Sequence, residues 1–194
     1  PNHLHGGPTG YHARVWDAEQ TDAQTLKLNY LSADGEEGFP GNLNLTVIYS
    51  FSNENELKID YSATTDKKTL VNLTHHAFFS LSGLANPTAS VENNIVTINA
   101  DWYTPVDETC IPLGEIASVE GTPMDFRTPH TVGERINDYS FRQLEIGKGY
   151  DHCYVLNKRE AGSLSYAAKC VEPISGRYLE MWTTEPGVQL YTSN

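Results

Sequence analysis

The chain has 194 residues, 39% of them hydrophobic and 20% charged, enough for a sizeable core and unlike a disordered segment. Its 25 acidic and 13 basic side chains give a net charge of -12, with only Lys67-Lys68 and Lys158-Arg159 as close basic pairs. That argues against a nucleic-acid partner, which needs clustered Lys and Arg, and an acidic surface suits a small or neutral ligand.

In chain order the periodicity is β. Thr25 to Leu31 alternates Leu26, Leu28 and Tyr30 with polar neighbours. Asn42 to Tyr49 sets Leu43, Leu45, Val47 and Tyr49 on one face, and Leu57, Ile59 and Tyr61 repeat the pattern after Ser52-Asn53-Glu54-Asn55. These two runs predict a hairpin. Further strands are predicted at Thr69–Thr74, Ala77–Leu81, Asn94–Asn99, Ser163–Val171, Arg177–Thr184 and Val188–Thr192. Turn chemistry separates them at Asp34-Gly35, Pro40-Gly41, Asn86-Pro87, Ser175-Gly176 and Pro186-Gly187. A short helix is predicted only at Thr131 to Asn137, with Thr131 as its cap before Glu134. The expected class is all-β, an antiparallel sandwich or barrel forming one domain over residues 1–194. The sequons at Asn44 and Asn72 lie inside predicted strands, which favours structural use over glycosylation.

Cys110, Cys153 and Cys170 are odd in number and widely spaced, which argues for reduced thiols rather than a disulfide framework or zinc ribbon. No apolar stretch approaches the ~18 residues of a membrane helix. The chain starts at Pro1 and stops straight after a strand-like run, and reads as an internal piece of a longer protein, its true start not shown.

Five stretches carry the chemistry: HLHGG (3–7), GEEGFPG (35–41), THHAFF (74–79), GYDH (149–152) and EPGVQLYTSN (185–194). On a strand, His75 and His76 point to opposite faces, so they do not share one ion. His3 and His5 fall on one side if their segment is extended, the spacing of a metal pair without its third and fourth ligands. The alternative is a Gly-Gly turn after an edge strand. Asp151 is either a turn residue or, among Tyr150 and His152, an acceptor for sugar hydroxyls. GEEGFPG lacks the Lys and Ser/Thr of a phosphate loop and reads as a rigid connection. Trp16, Trp102 and Trp182 are expected in the core rather than as a stacking floor for a sugar.

Taken in order, NHLHGG, DGEEGFPG, VNLTHHAFFSLSG, TPVDETCIPLGE, GYDH and EPGVQLYTSN resemble the aldose 1-epimerase (galactose mutarotase) family from Asn2 to Asn194. The resemblance implies a large antiparallel β-sandwich (the galactose mutarotase-like supersandwich) with an open carbohydrate cleft. It implies interconversion of the α and β anomers of a free hexose by acid–base ring opening and closure, with no cofactor and no metal. Position by position, His76 matches the general acid, His5 a histidine that binds near the ring and anomeric centre, and Asp151 a carboxylate that binds hydroxyls. Gln189 matches a polar substrate contact and Phe78 an aromatic lining residue.

The departures are His75 and Cys153 where Asn is usual, and Leu190 and Ser193 for Phe and Gly. The resemblance places the general base, a glutamate, beyond Asn194 and a sugar-binding arginine upstream of HLHGG. These residues alone are therefore expected to be inactive. The competing readings are a non-catalytic carbohydrate-binding protein of the same fold, a relative acting on sugar phosphates, and a metal protein using His3, His5, His75 or His76. The expected partner is a free hexose, with neither nucleic acid nor membrane, and the expected compartment is the cytoplasm. The preferred sugar and the oligomeric state are not written in the sequence.

Overall fold

The structure is a computed structural model and describes residues 2–84 and 90–193. Every sheet is antiparallel, so the all-β expectation holds. By compactness the chain divides into residues 1–77 and residues 78–194.

The first unit holds one four-stranded meander, β1 (Asp17–Asp22), β2 (Thr25–Ser32), β3 (Leu43–Phe51) and β4 (Leu57–Thr65). The predicted hairpin is β3–β4, with Val47 opposite Tyr61. Leu43, Leu45 and Val47 alternate inward and are buried, as period-two burial requires. Leu57 and Tyr61 of the same hairpin remain exposed. Strand β1 has no apolar alternation, and every residue in it is exposed. It exists because the edge of β2 offers a ladder, and its acidic residues keep that edge from recruiting another chain.

The second unit holds two sheets, connected by chain that includes, among the described residues, one α-helix, α1 (Arg142–Gly147). One sheet has the order β11 (Tyr178–Thr183), β10 (Ser165–Val171), β5 (Ile95–Ile98), β8 (His130–Thr131). The other runs β12 (Gly187–Tyr191), β9 (Asp151–Val155), β6 (Trp102–Tyr103), β7 (Ala117–Ser118). Val96, Ile98 and Ala167 from the first sheet share a core with Tyr103 and Tyr154 from the second, filled in by Met124, Phe126 and Leu144. Phe126 sits edge-on to Tyr150, centroids 5.1 Å apart, and lies under the Arg135 guanidinium at the same distance.

Several expectations are corrected. Residues 69–80 join none of the three ladders despite their β-branched and aromatic run, and Leu70 is 81% exposed. Strand propensity is realised only where an edge is available to pair, and no described strand pairs with this run. Thr131–Asn137 is not a helix. His130–Thr131 pairs with β5, and only Val132–Glu134 winds, as one 3-10 turn. Trp102 and Trp182 are 47% and 57% exposed, because each takes the outward position of its strand, and Trp16 is half-buried. Lys158, read as a solvated turn, donates to Ser163 O, Ser165 Oγ and Thr183 O instead. The Asn86-Pro87 turn lies outside the described residues. Among the described residues no helix is long and apolar enough to cross a membrane.

Candidate functional site

In the first unit, HLHGG is a tight turn rather than an extended segment. His5, Gly6 and Gly7 take φ of 54°, 84° and 105°, and the Gly7 N–H closes on Leu4 O at 3.1 Å. Three successive positive φ values explain the glycine pair, since only glycine takes such angles freely. The turn also separates its two histidines. His3 packs edge-on against Phe39, centroids 5.2 Å apart, while His5 meets His76 at 5.1 Å and 87°. His75 turns instead to Tyr49, at 5.9 Å. The expected divergence of the two adjacent imidazoles is thus present without a strand to impose it. Both members of the His5–His76 pair are exposed.

The GEEGFPG loop connects β2 to β3 and backs this turn, with Phe39 against His3 and Glu37 beside Gly7. Arg14 lies between two carboxylates, with Nε 3.2 Å from Glu36 and Nη2 3.4 Å from Glu37. The Tyr30 hydroxyl donates to Glu36, and burial followed by the Glu36 carboxylate pushes the phenol pKa up. The rings of Tyr11, Trp16 and Tyr30 pack against one another, with centroids 5.3 to 6.3 Å apart. The Asp34 carboxylate accepts the Gly41 N–H at 2.6 Å and pairs with Lys67, closing the other end of the loop. Sequence reasoning did not find this cluster, because Arg14 lies more than 20 residues from its partners and carries no motif of its own.

In the second unit, Asp151 opens β9 rather than a turn. It faces away from the core, on the same side as Cys153, Gln189 and Tyr191, because Asp151 is opposite Tyr191 and Cys153 is opposite Gln189 across the β9–β12 ladder. Gln189 Nε2 donates to Asp151 Oδ1 at 2.7 Å. Phe78 packs on Tyr191 with centroids 5.9 Å apart, and both rings are exposed. The result is a carboxylate–amide pair on the face that also carries an aromatic pair. That combination matches hydroxyl groups on one side and C–H groups on the other.

The predicted residues therefore gather in two places, His5 with His76 in one unit and Asp151, Gln189 and Phe78 in the other. Tyr191 was missed, although it follows Gln189 at the period of a strand. Among the described residues, no three His, Cys, Asp or Glu side chains converge as an ion site, and the HLHGG pair points in two directions.

An aldose 1-epimerase family model matches residues 1–194. The chain belongs to the aldose 1-epimerase family. It is 42% identical to galactose mutarotase of Mus musculus, across all of this chain and 53% of the mouse protein. It is 40% identical to aldose 1-epimerase of Escherichia coli K12, over all of this chain and 54% of that protein. The chain thus spans about half the length of these relatives. Among solved structures, a GalM/aldose epimerase homologue from C. elegans superposes with a TM-score of 0.83 at 28% identity, covering 98% of this chain and 55% of that one. Galactose 1-epimerase from Lactobacillus acidophilus gives 0.73 at 33% identity, over 87% and 48%.

Proposed function

We propose that the protein is an aldose 1-epimerase acting on free hexoses, galactose or glucose, and that residues 1–194 are part of its single carbohydrate-active β-sandwich domain. The observation that carries the reading is the exposed His5–His76 pair, set at right angles by the HLHGG turn in a chain of this family. A hemiacetal opens when one group takes the proton of the anomeric hydroxyl while another protonates the ring oxygen. Imidazole changes charge near neutral pH and suits the second task.

In this reading His76, as imidazolium, gives its proton to the ring oxygen. The C1–O5 bond breaks, C1=O forms, and a carboxylate base holds the proton from O1. None of the carboxylates in this chain is assigned that role. After rotation about C1–C2, neutral His76 takes the O5 proton back as the ring closes, and the base returns its proton to O1. His5 binds near the anomeric centre. Asp151 and Gln189 bind hydroxyls, and Phe78 lines the sugar. The acidic surface and the three free thiols support a cytoplasmic enzyme for a small neutral substrate, with no role for nucleic acid.

The test is polarimetry on the full-length protein with fresh α-D-galactose and α-D-glucose. Removal of the acid in His76→Ala is expected to slow catalysed mutarotation about 10²–10⁴-fold. An undiminished rate in a folded His76→Ala protein overturns the assignment of the acid. Sugar binding without any acceleration by the wild type overturns the catalytic reading.

A further inference from the structure

We propose that His152, kept neutral with its proton on Nε2 by Gln143, is a positioning residue that holds Asp151 in place for its hydroxyl contact. This rests on the reading of Asp151 as a sugar ligand.

The need for such a residue follows from the ladder. In an antiparallel strand, successive residues turn their N–H and C=O to alternate sides. Tyr150 faces β12, since its carbonyl accepts the Thr192 N–H at 3.1 Å. Asp151 and Cys153 therefore face the β6 side. Cys153 O is taken by the Thr104 N–H at 2.9 Å, but the chain beyond β6 continues with Pro105, which has no N–H, and then leaves the ladder. Val106, next in line, has both its backbone groups engaged by the Gln143 side chain: its N–H donates to Oε1 at 2.7 Å, and its carbonyl accepts from Nε2 at 3.0 Å. The Asp151 N–H is left without a ladder partner, at the residue where the functional carboxylate begins.

His152 supplies the partner. The Asp151 N–H donates to His152 Nδ1 at 3.2 Å, so Nδ1 must carry a lone pair. The proton then sits on Nε2, which lies 3.2 Å from Gln143 Oε1, an acceptor. Gln143 Nε2 is already committed to Val106, so the amide cannot flip to present a donor. The chain of bonds fixes one tautomer. His152 is 1% exposed, with the Tyr103 ring edge-on at 6.0 Å, and a side chain at Gly147 would come within 3.3 Å of its Cε1. Burial lowers the imidazole pKa, against a smaller opposing pull from the Asp151 carboxylate, which keeps the ring neutral. A charged ring would lose the lone pair that the Asp151 N–H needs. Helix α1 thus reaches the carboxylate through two side chains: Gln143 sets His152, and His152 sets the backbone of Asp151.

The first experiment is imidazole 15N NMR on the full-length, selectively labelled protein. His152 is expected as the neutral Nε2–H tautomer at pH 7, still neutral when exposed histidines have become charged. An Nδ1–H tautomer, or a ring that titrates with the exposed ones, overturns the proposal. This readout needs no variant to fold.

The second is steady-state kinetics. His152→Phe keeps the bulk and removes both bonds, and is expected to raise KM for galactose about three- to tenfold with kcat little changed. His152→Asn, which can still accept the Asp151 N–H, restores most of the loss. In an Asp151→Ala background, His152→Phe adds nothing further, because both act on one group. Full additivity there, or no rescue by Asn, overturns the positioning role. If Asp151→Ala leaves KM unchanged, the hydroxyl-binding reading falls. If Asp151→Ala raises KM while His152→Phe does not, the positioning role falls alone.

Discussion

Gly7→Ala tests whether the histidine-bearing turn is held by the GEEGFPG loop. Gly7 has φ of 105°, where an L side chain costs about 1–3 kcal/mol in backbone strain alone. The new methyl would also come within 3.0 Å of Glu37 Cδ and 3.1 Å of Glu37 Cβ, and closer still to the carboxylate oxygen. Glu37 cannot move aside without cost, since its side chain is only 19% exposed and reaches Arg14 at 3.4 Å. Loss of that pair adds up to about 1 kcal/mol. Gly6 is the internal control. Its φ of 84° imposes a comparable strain, but a methyl there would meet nothing nearer than Gly10 Cα at 3.9 Å. Urea unfolding of the two variants is expected to show Gly7→Ala worse than Gly6→Ala by about 1 kcal/mol or more. In a Glu37→Gly background the difference between Gly7→Ala and Gly6→Ala should vanish, because the obstacle, Cβ included, and the Arg14 pair are already gone. Equal losses for Gly6→Ala and Gly7→Ala in the wild-type background, or a difference that persists in Glu37→Gly, would refute the argument that Glu37 supports the turn.

Three further outcomes are expected. Tyr154 is fully buried and its hydroxyl has no hydrogen-bond partner among the described residues, whereas the Tyr150 hydroxyl donates to Pro123 O at 3.0 Å. In thermal or urea unfolding, Tyr154→Phe should be neutral or stabilising by about 1 kcal/mol, and Tyr150→Phe should cost about that much. The Arg127 guanidinium grips Asp125 at 2.7 and 3.0 Å and holds its carboxyl below the usual range. A depressed folded-state pKa stabilises above the unfolded value of about 3.9 and is lost as pH falls through the folded one, so Asp125→Asn should flatten the acid limb of stability below about pH 4 in urea midpoints. Burial raises the thiol pKa of Cys153 and Cys170 while Cys110 is exposed, so iodoacetamide at neutral pH should label Cys110 first by mass spectrometry, and prior labelling of Cys153 would contradict the burial seen at β9.

The strands that sequence alone located are those whose apolar residues alternate beside clear turn residues. Leu43, Leu45 and Val47 in β3 are an example, and so is the chain from Gly187 to Tyr191 after Pro186-Gly187. Period two is a local property, and side chains i and i+2 face one way whatever the rest of the chain does. The same rule was legible at Tyr150, His152, Tyr154 and Leu156, all buried, but the polar look of Asp151 and His152 concealed it. The family, too, was written in the order of short motifs. What sequence could not determine depended on partners distant in the chain. Residues 69–80 have the composition of a strand and pair with no described strand, while Asp17–Asp22 has the composition of a loop and an edge that accepts it. The arrangement of the histidines needed the turn geometry at His5 and the loop behind it, which brings Arg14 to Glu36 and Glu37. Hydrogen-bond satisfaction in a buried place is likewise a tertiary matter. His152 is neutral, and its proton is on one nitrogen, because β6 ends at Tyr103, opposite Tyr154, the chain leaves the ladder before it reaches Asp151, and Gln143 arrives from a helix to fill the gap.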